Sequence, residues 1–200
     1  MIDVATEVFG RFGYHATSME QIADEARISK PMLYAYFESK EGLYAACMRR
    51  AGRRLIDRVA ASYTECHTAE QHLWDGFLAF FNFIGEHTAA WNLICGLSMS
   101  ESSAFKEISD GIHEDMRDKV EQLCAHASRD TKGDPFANPQ RRETMAHAMI
   151  GAAESLGAWW LGKHNDLPPA VPCRELMNLF WLGIDNLSEG RAWTDHSLGN

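Results

Sequence analysis

Apolar residues recur three or four positions apart along most of this chain, the spacing that places them on one face of an α-helix. The usual signals of strands, alternating β-branched runs and Asn-Gly or Asp-Gly turns, are nearly absent from the sequence. The pattern therefore predicts an all-α fold of about nine helices, at residues 2–13, 18–26, 30–37, 40–66, 69–87, 89–99, 101–129, 139–164 and 173–190.

Residues 16–43 predict two short helices joined by a tight turn, followed by the start of a third helix. Thr17 and Glu20 form a T-x-x-E pattern, which predicts a capped helix start at this point. After the turn, Ser29 is suited to cap the next helix, and Pro31 fits its first turn, where a missing N–H has no cost. This arrangement predicts a helix-turn-helix.

The second of these helices buries little of its own surface. Its apolar spacing turns only Leu33 and Phe37 inward, four positions apart. The side chains left facing outward are Lys30, Met32, Tyr34, Ala35 and Tyr36. A short helix that exposes two tyrosines and a lysine is typical of a helix that lies in the major groove of DNA.

The exposed side chains of this helix offer chemistry that suits DNA. Lys30 can reach guanine O6 and N7 or a phosphate, and the Ala35 methyl group can meet a thymine methyl group. Tyr34 and Tyr36 can donate their hydroxyls to phosphate or thymine, although packing of Tyr34 against the first helix is an open alternative. Ser39 should cap the helix predicted at 40–66, whose first N–H groups form an anion site.

Residues 4–44 resemble the DNA-binding domain of the TetR family of bacterial transcriptional regulators, and the string SKPMLYAYFESKEGL resembles its most recognisable signature. The resemblance implies that Tyr36 and Lys40 anchor phosphates and that the start of the second helix touches the DNA backbone. The matching residues are Ala5, Phe9, Phe12, Gly13, Tyr14, Thr17, Ile22, Ala23, Ala26, Ile28, Ser29, Leu33, Tyr34, Tyr36, Phe37, Lys40 and Leu43. The predicted DNA-binding set is Thr17, Ser18, Lys30, Pro31, Met32, Tyr34, Ala35, Tyr36 and Lys40.

The chain departs from the family pattern in three ways. Arg27 lies where the family often has glycine in the turn, which predicts mild backbone strain. Met32 lies where a threonine usually contacts phosphate, so one anchor is expected to be lost. The sequence starts partway into the expected first helix, without the basic segment that normally precedes it, so an arm contact with DNA is not assumed.

Composition and charge refine this picture. The chain is 46% hydrophobic, enough to bury a core, yet its longest apolar stretch, 77–84, is interrupted by Asn82 and is too short to span a membrane. The five cysteines are widely spaced without a C-x-x-C, so neither a disulfide framework nor a zinc site is expected, and a reduced cytoplasm is the predicted location.

The net charge of −9 is unevenly distributed. Residues 1–58 hold nine Lys and Arg against eight Asp and Glu, so the acidic excess lies entirely in 59–200. A nearly neutral DNA-binding segment on an acidic body predicts a few placed phosphate contacts and weak non-specific DNA binding. The five arginines of the fourth helix are interpreted as a solvated or salt-bridged face, with DNA contact as the alternative: Arg49, Arg50, Arg53, Arg54 and Arg58.

The last two helices each carry two apolar stripes, whereas a helix that packs only on its own core needs one. Asn138 and Pro139 predict the start of the first of them. Small residues within the stripes would allow close approach of a second copy, which predicts a homodimer; burial inside one monomer is the alternative. The string MAHAMIGAAESLGAWW also resembles the dimerisation helix of TetR-type regulators. The predicted interface residues are Met145, Met149, Ala152, Leu156, Trp159, Leu176, Phe180, Gly183 and Leu187.

The fifth helix is apolar on every side, and the resemblance implies that it forms the wall of an effector pocket. Aromatic and methionine side chains predict a hydrophobic or aromatic small molecule, and the alternative for each residue is ordinary core packing. The candidate ligand-binding residues are Trp74, Phe77, Phe81, Asn82, Trp91, Cys95, Met99, His113 and Met116.

Signatures of enzymes are missing from the sequence, including G-x-S-x-G, the P-loop and G-x-G-x-x-G. We therefore expect no catalytic residues, cofactor or metal. The predicted organisation is a helix-turn-helix domain at 1–44 and a helical effector-binding and dimerisation domain at 45–200. The predicted function is a ligand-responsive repressor that leaves a palindromic operator in double-stranded DNA when its effector binds. The alternative is a helical small-molecule binding protein whose DNA-binding segment no longer works.

Overall fold

The computed structural model describes residues 1–65, 67–95, 103–127 and 136–189, and within them the regular structure consists of nine α-helices without a strand. The all-α prediction is confirmed. The helices are α1 (Ile2–Phe12), α2 (Met19–Glu25), α3 (Lys30–Phe37), α4 (Lys40–Ala60), α5 (Ala69–Glu86), α6 (Thr88–Cys95), α7 (Ser103–Ala127), α8 (Pro139–Lys163) and α9 (Ala170–Ser188).

Two helix boundaries differ from the prediction. α4 ends at Ala60 rather than near residue 66, because Ser62 turns back and donates its hydroxyl to the Val59 carbonyl at 2.7 Å. α9 begins at Ala170 rather than at 173, so that Pro172 lies in its first turn. The first four N–H groups of a helix have no intrahelical partner, and a proline is therefore tolerated there.

Local capping chemistry fixes several of the helix starts. The predicted caps are confirmed at Ser29 and Asn138. The Ser29 hydroxyl accepts from the Met32 N–H, and the side-chain oxygen of Asn138 accepts from the Gln140 N–H at 2.9 Å. α5 begins with a reciprocal cap that the sequence pattern did not predict. There Thr68 N–H donates to the Gln71 side chain at 2.8 Å, and the Gln71 N–H donates to the Thr68 hydroxyl.

The chain forms two compact units, and it passes between them within α4, α5 and α7. The first unit comprises Met1–Arg58 and Asn82–Met116. In it α6 packs on α1 at Gly10, where an added Cβ would lie 2.5 Å from Ala89 Cα. The Asn92 amide donates to the Gly10 carbonyl at 3.2 Å beside this contact. The core of this unit includes Val8, Phe9, Ile22, Leu33, Leu43, Met48, Leu55, Ile84, Leu93 and Ile94.

The second unit comprises Val59–Phe81 and Arg117–Asn200. Its centre, in the described residues, is the packing of α8 on α9, with an edge-on contact between the rings of Phe81 and Trp160. The Trp160 indole N–H donates to the Leu167 carbonyl at 3.0 Å, which satisfies a buried polar group. The predicted domain boundary at residue 44 remains a prediction, since the division into these two units follows a different line.

Candidate nucleic-acid interface

The α3 helix is attached to the protein through Leu33, which is completely buried. Phe37 is half-buried at its C-terminal end, and the remaining side chains of the helix face outward. The exposed fraction of Tyr36 is 70%, and those of Met32 and Tyr34 are 46% and 43%. Lys30, Pro31 and Ala35 are also exposed. The predicted outward face is therefore present on one continuous side of α3, and Tyr34 is not packed away in the core.

The turn before α3 holds this helix against α2 through backbone hydrogen bonds. The Ile28 N–H donates to the Ala23 carbonyl at 3.0 Å, and the Arg27 N–H donates to the Asp24 carbonyl at 3.1 Å. This pair of bonds is a Schellman motif, which requires a left-handed residue after the helix end. Arg27 is that residue, with φ 55°, so the predicted backbone strain is confirmed.

Lys30, at the start of α3, is held near α2. Its ammonium lies 3.6 Å from a carboxylate oxygen of Glu20, and both side chains are largely exposed. An exposed ion pair of this kind is weak, at roughly 0–1 kcal/mol, because water screens both charges. Lys30 can therefore exchange Glu20 for a DNA group at little cost.

Lys40 contacts two residues that precede α2. Its ammonium lies 4.4 Å from the centre of the Tyr14 ring, and it donates to the His15 carbonyl at 3.5 Å. The aromatic face and the carbonyl both attract the positive charge. Since Tyr14 and His15 are about 25 positions away in sequence, local pattern alone could not identify this contact.

Tyr14 is fixed in turn by a carboxylate of α4. Its hydroxyl donates to Glu41 Oε1 at 2.6 Å, the short distance expected of a hydrogen bond to a charged acceptor. Burial, followed by this bond, raises the pKa of Tyr14 above its ordinary value. The same hydrogen bond, together with a backbone one, holds the pKa of Glu41 below its usual range. At neutral pH, Tyr14 is thus the donor and Glu41 the charged acceptor.

Two expectations about the start of the interface are wrong. Thr17 is buried, and its hydroxyl donates to the Gly13 carbonyl at 2.8 Å, so it is neither the helix cap nor available to DNA. The cap is Ser18, which is exposed and accepts from the Gln21 N–H at 3.1 Å. Phe12, one of the residues that match the family pattern, is 46% exposed because it is the last residue of α1 and the chain turns away at Gly13 with φ 80°.

The arginines of α4 follow the predicted salt-bridged arrangement in three cases. Arg50 and Arg54 lie 3.1 Å and 3.3 Å from the two carboxylate oxygens of Asp3 in α1. Arg58 lies 3.5 Å from Glu86. Arg49 and Arg53 are exposed. The interpretation as a salt-bridged face is therefore confirmed for Arg50, Arg54 and Arg58.

The candidate ligand-binding residues fall into both units. In the first unit, Trp91 and Met116 are buried, and Asn82, Cys95 and His113 are half-buried. In the second unit, Phe77 and Phe81 are buried and Trp74 is half-buried. Met99 lies outside the described residues. His113 Nδ1 donates to the Ser109 carbonyl at 2.7 Å, so this nitrogen is already engaged. The ligand-binding role of these residues stays a prediction.

The predicted dimer residues differ in their accessibility. Met149 and Leu176 are covered by their own chain, because they lie where α8 and α9 pack together. They therefore cannot present a surface to a partner, contrary to expectation. Trp159 and Gly183 are exposed, and the half-buried members are Met145, Ala152, Leu156, Phe180 and Leu187.

The exposed face of α9 includes two leucines that were absent from the predicted interface. Leu179 is 71% exposed and Leu182 is 58% exposed, on the same helix as Gly183. Their spacing of three residues was a detectable signal, but α9 has apolar residues on most sides and its pattern alone did not select a face. Leu179 and Leu182 are thus additional candidates for a partner surface.

In the part of the chain that the structure describes, no three His, Cys, Asp or Glu side chains are arranged to hold a metal ion. Among the described helices, none combines the length and the apolar character needed to cross a membrane.

Burial raises the pKa of the Cys47, Cys124 and Cys173 thiols to about 11, 12 and 12, so these three thiols are protonated at neutral pH.

Comparison with known proteins supports the same interpretation. Residues 1–47 match the family model for bacterial regulatory proteins of the tetR family, and residues 69–183 match the model for a tetracyclin repressor-like C-terminal domain. The HTH-type transcriptional activator FasR of Mycolicibacterium smegmatis is 38% identical over 94 residues, which are 47% of this chain and 43% of FasR. The matched segment thus spans less than half of that relative's length.

Solved structures share nearly the whole fold. A TetR-like transcriptional regulator from Rhodococcus sp. RHA1 matches with a TM-score of 0.72 and 28% identity, covering 92% of this chain and 93% of that one. The transcriptional regulator FadR from Bacillus subtilis, solved in complex with stearoyl-CoA, matches with a TM-score of 0.71 and 16% identity, covering 94% and 96%. Because the two family models match residues 1–47 and 69–183, this chain belongs to the TetR family of bacterial regulatory proteins.

Proposed function

We propose that this regulator is a homodimeric repressor that binds a near-palindromic operator and leaves it when a hydrophobic effector binds. The observation that carries the proposal is α3, which completely buries only Leu33 and leaves Tyr34 and Tyr36 exposed. A helix built for the core would bury more than one of its side chains completely. In a dimer, the two α3 helices would enter successive major grooves about 34 Å apart.

The contacts of each protomer with DNA divide into two kinds. Tyr36 and Lys40 are the proposed phosphate contacts, which would fix the register of the protein without reading sequence. Lys30 and Ala35, both exposed on α3, are the proposed readers of base edges. Ser18 would add a backbone contact at the start of α2, whereas Thr17 would only support the α1–α2 segment from within.

The proposed dimer forms through the exposed faces of α8 and α9. Trp159, Leu179 and Leu182 expose large apolar side chains, and burial of such side chains against a partner favours association. At Gly151 and Gly162 of α8 and at Gly183, an added Cβ would meet nothing within 4 Å in this chain. A partner helix could therefore approach the backbone closely at these positions.

The proposed effector carries a long apolar chain. Phe77 and Phe81 are buried aromatic residues of α5, and FadR, which shares this fold, was solved with stearoyl-CoA. Binding within residues 45–200 would displace α4 and change the separation of the two α3 helices. A coupling of about 1–3 kcal/mol between the two sites would weaken DNA binding by roughly 5–150-fold.

Duplexes from the region upstream of the protein's own gene test the DNA-binding part. The intact protein should shift one of them, and the combined change Tyr36→Phe and Lys40→Ala should abolish or strongly weaken the shift. Loss of one phosphate contact in each protomer should lower the slope of log affinity against log salt by about 1.8. Lys106→Ala, a matched loss of an exposed lysine on α7, should leave binding unchanged.

Equal binding by the intact protein and by the Tyr36→Phe, Lys40→Ala variant would contradict the proposal. It would favour the alternative of a small-molecule binding protein whose DNA-binding segment no longer works. Stearoyl-CoA added to the DNA complex should release it, with coenzyme A alone as the matched control. Repression predicts that transcription from the bound promoter rises when the gene is deleted, whereas an activator would show a fall.

A further inference from the structure

Lys40 and Tyr14 form a contact between the α1–α2 segment and the N-terminus of α4. The Lys40 ammonium lies over the Tyr14 ring at 4.4 Å from its centre, and the His15 carbonyl accepts one of its hydrogens at 3.5 Å. An ammonium group has three donors, so this arrangement leaves donors for an oxygen outside the protein. The lysine is thus held in place without being fully satisfied.

The Tyr14 ring is itself fixed by other aromatic rings. Tyr44 of α4 lies at 5.0 Å and Phe105 of α7 at 5.1 Å between ring centres, both close to edge-on, and Phe9 of α1 lies at 6.2 Å. The Glu41 carboxylate holds the hydroxyl at the other end of the ring. Tyr14 is therefore the one side chain in this group that touches α7 and Lys40 together.

We propose that Tyr14 is a positioning residue of the DNA interface: its ring holds Lys40 for a DNA phosphate, and Phe105 of α7 holds that ring in place. The inference rests on the proposed DNA-binding function and names a route by which it is regulated. Displacement of α7 would move Phe105, then Tyr14, then the phosphate anchor. All of these residues belong to the same compact unit.

The physical basis is the cost of ordering a lysine. A lysine side chain loses much rotational freedom when it is fixed on a phosphate, and an interface that has already ordered it binds more tightly. A ring face attracts the ammonium without competing for all of its donors. A carboxylate in place of the Tyr14 ring would neutralise the charge of Lys40. The Glu41 carboxylate instead accepts the hydrogen bond from the Tyr14 hydroxyl.

A double-mutant cycle on the upstream duplex tests the coupling. Tyr14→Leu removes the ring, Lys40→Gln removes the charge, and Tyr14→Phe keeps the ring as the conservative control. Because Lys40 would then have to be ordered on binding in both protomers, Tyr14→Leu should weaken binding by about 5- to 150-fold. The same change in the Lys40→Gln background should have an effect of less than about 2-fold. Tyr14→Phe keeps the ring, so it should weaken binding less than Tyr14→Leu does.

Phe105→Leu completes the test of the route from α7. It should weaken DNA binding in the intact protein and lose most of that effect in the Lys40→Gln background. Leu93→Ala, a comparable change in the core of the same unit, lies outside this group of rings and should act equally in both backgrounds. Equal effects of Tyr14→Leu, or of Phe105→Leu, with and without Lys40 would overturn the inference.

A spectroscopic measurement remains decisive if Tyr14→Leu does not fold. Protons on the Lys40 side chain next to the ammonium lie above the Tyr14 ring, so their NMR signals should be shifted upfield by the ring current. The signals are assigned from their loss in Lys40→Gln and should persist in Tyr14→Phe. Unshifted signals in the folded protein would overturn the inference. If the intact protein binds no upstream duplex, the proposed DNA-binding function is itself contradicted. That outcome differs from failure of the Tyr14 inference alone, because none of the variants then binds DNA either.

Discussion

Arg27 occupies a backbone position that suits glycine. Its left-handed φ of 55° is required by the Schellman motif that ends α2, and this conformation costs an L-residue roughly 1–2 kcal/mol relative to glycine. We expect Arg27→Gly to stabilise the protein by about 0.5–1 kcal/mol, after the greater chain entropy of glycine is allowed for. Chemical denaturation measures the change.

The neighbouring residue supplies the control. Ala26 has φ −79°, an ordinary right-handed conformation, so glycine there brings no relief of strain. Ala26→Gly should therefore destabilise the protein by up to about 1 kcal/mol. Stabilisation by both substitutions, or by neither, would contradict the interpretation of the turn.

The hydrogen bond between Tyr14 and Glu41 predicts a pH dependence. Because the pKa of Glu41 is lowered in the folded protein, its contribution to stability is present above the ordinary pKa of 4.5 and is lost as the pH falls through the lowered value. Tyr14→Phe removes the main cause. It should lower the melting temperature at pH 7. The loss in the free energy of unfolding should be no more than about 1 kcal/mol, because the carboxylate is exposed.

The difference between the intact protein and Tyr14→Phe should therefore shrink as the solution is acidified below pH 4.5. Thermal melts at several pH values measure it. Tyr63→Phe removes a tyrosine hydroxyl elsewhere in the chain and serves as the comparison. A difference that stays constant down to the acid-unfolding range would show that Glu41 is not the acceptor that matters.

At the scale of single residues, the local sequence predicted much of the exposed surface of α3. It did not predict the contacts between helices that hold this surface in place. The exposure of Tyr36 follows from helical spacing around Leu33, and the strain at Arg27 follows from its place in the turn. The contact of Lys40 with Tyr14 and the burial of Thr17 depend on how α1 and α4 meet. The spacing of residues within one helix carries no information about how that helix packs against another.

The packing of α6 on α1 depends on the glycine at their closest approach. A Cβ at Gly10 would lie 2.5 Å from Cα and 2.6 Å from the carbonyl oxygen of Ala89, and backbone atoms cannot move aside easily. We expect Gly10→Ala to destabilise the protein by about 1–3 kcal/mol through overpacking. Denaturation with urea measures the loss.

Gly111 of α7 is the matched control, since an added Cβ there meets nothing within 4 Å. Gly111→Ala should be neutral or stabilising by about 0.5–1 kcal/mol, because alanine suits a helix interior better than glycine. Equal behaviour of the two variants would mean that α6 does not approach α1 as closely as the structure indicates.

At the scale of helices, local chemistry predicted the caps of α3 and α8 correctly, whereas it placed the cap of α2 at Thr17 rather than Ser18. Ser29 and Asn138 cap their helices because a side-chain oxygen and the N–H groups it serves lie within three residues. The end of α4 was misplaced because the apolar pattern continues past Ala60, while the backbone turns at Ser62. The start of α9 was misplaced because the proline-rich segment before residue 173 resembles a loop, whereas Pro172 lies in the first turn of the helix.

The exposed apolar face of α9 predicts the behaviour of the whole molecule in solution. Leu179→Glu would place a charge in the proposed partner surface, where it would lose its hydration, so the variant should become monomeric. Size-exclusion chromatography with light scattering measures the mass. The matched control is Met32→Glu, an equally drastic change at an exposed apolar side chain of α3, and it should leave the dimer intact.

A monomeric intact protein, or a Leu179→Glu variant with unchanged mass, would contradict the proposed interface. The sequence indicated a second apolar surface on α8 and α9 but assigned Met149 and Leu176 to it. Both side chains are used by the protomer itself, and Leu179 and Leu182 face outward instead. With apolar residues on most sides of α9, the choice of face depends on how α8 and α9 pack on each other.

The central claim is that two copies of α3 recognise DNA as a symmetric pair. Selection of duplexes from a random-sequence pool by the full-length protein, followed by sequencing, tests it directly, because every possible operator sequence competes in the same pool. The enriched motif should be two-fold symmetric, with half-site centres about 10 base pairs apart, one helical turn of DNA. A motif with a single asymmetric half-site, or a pool that remains random after selection, would contradict the claim.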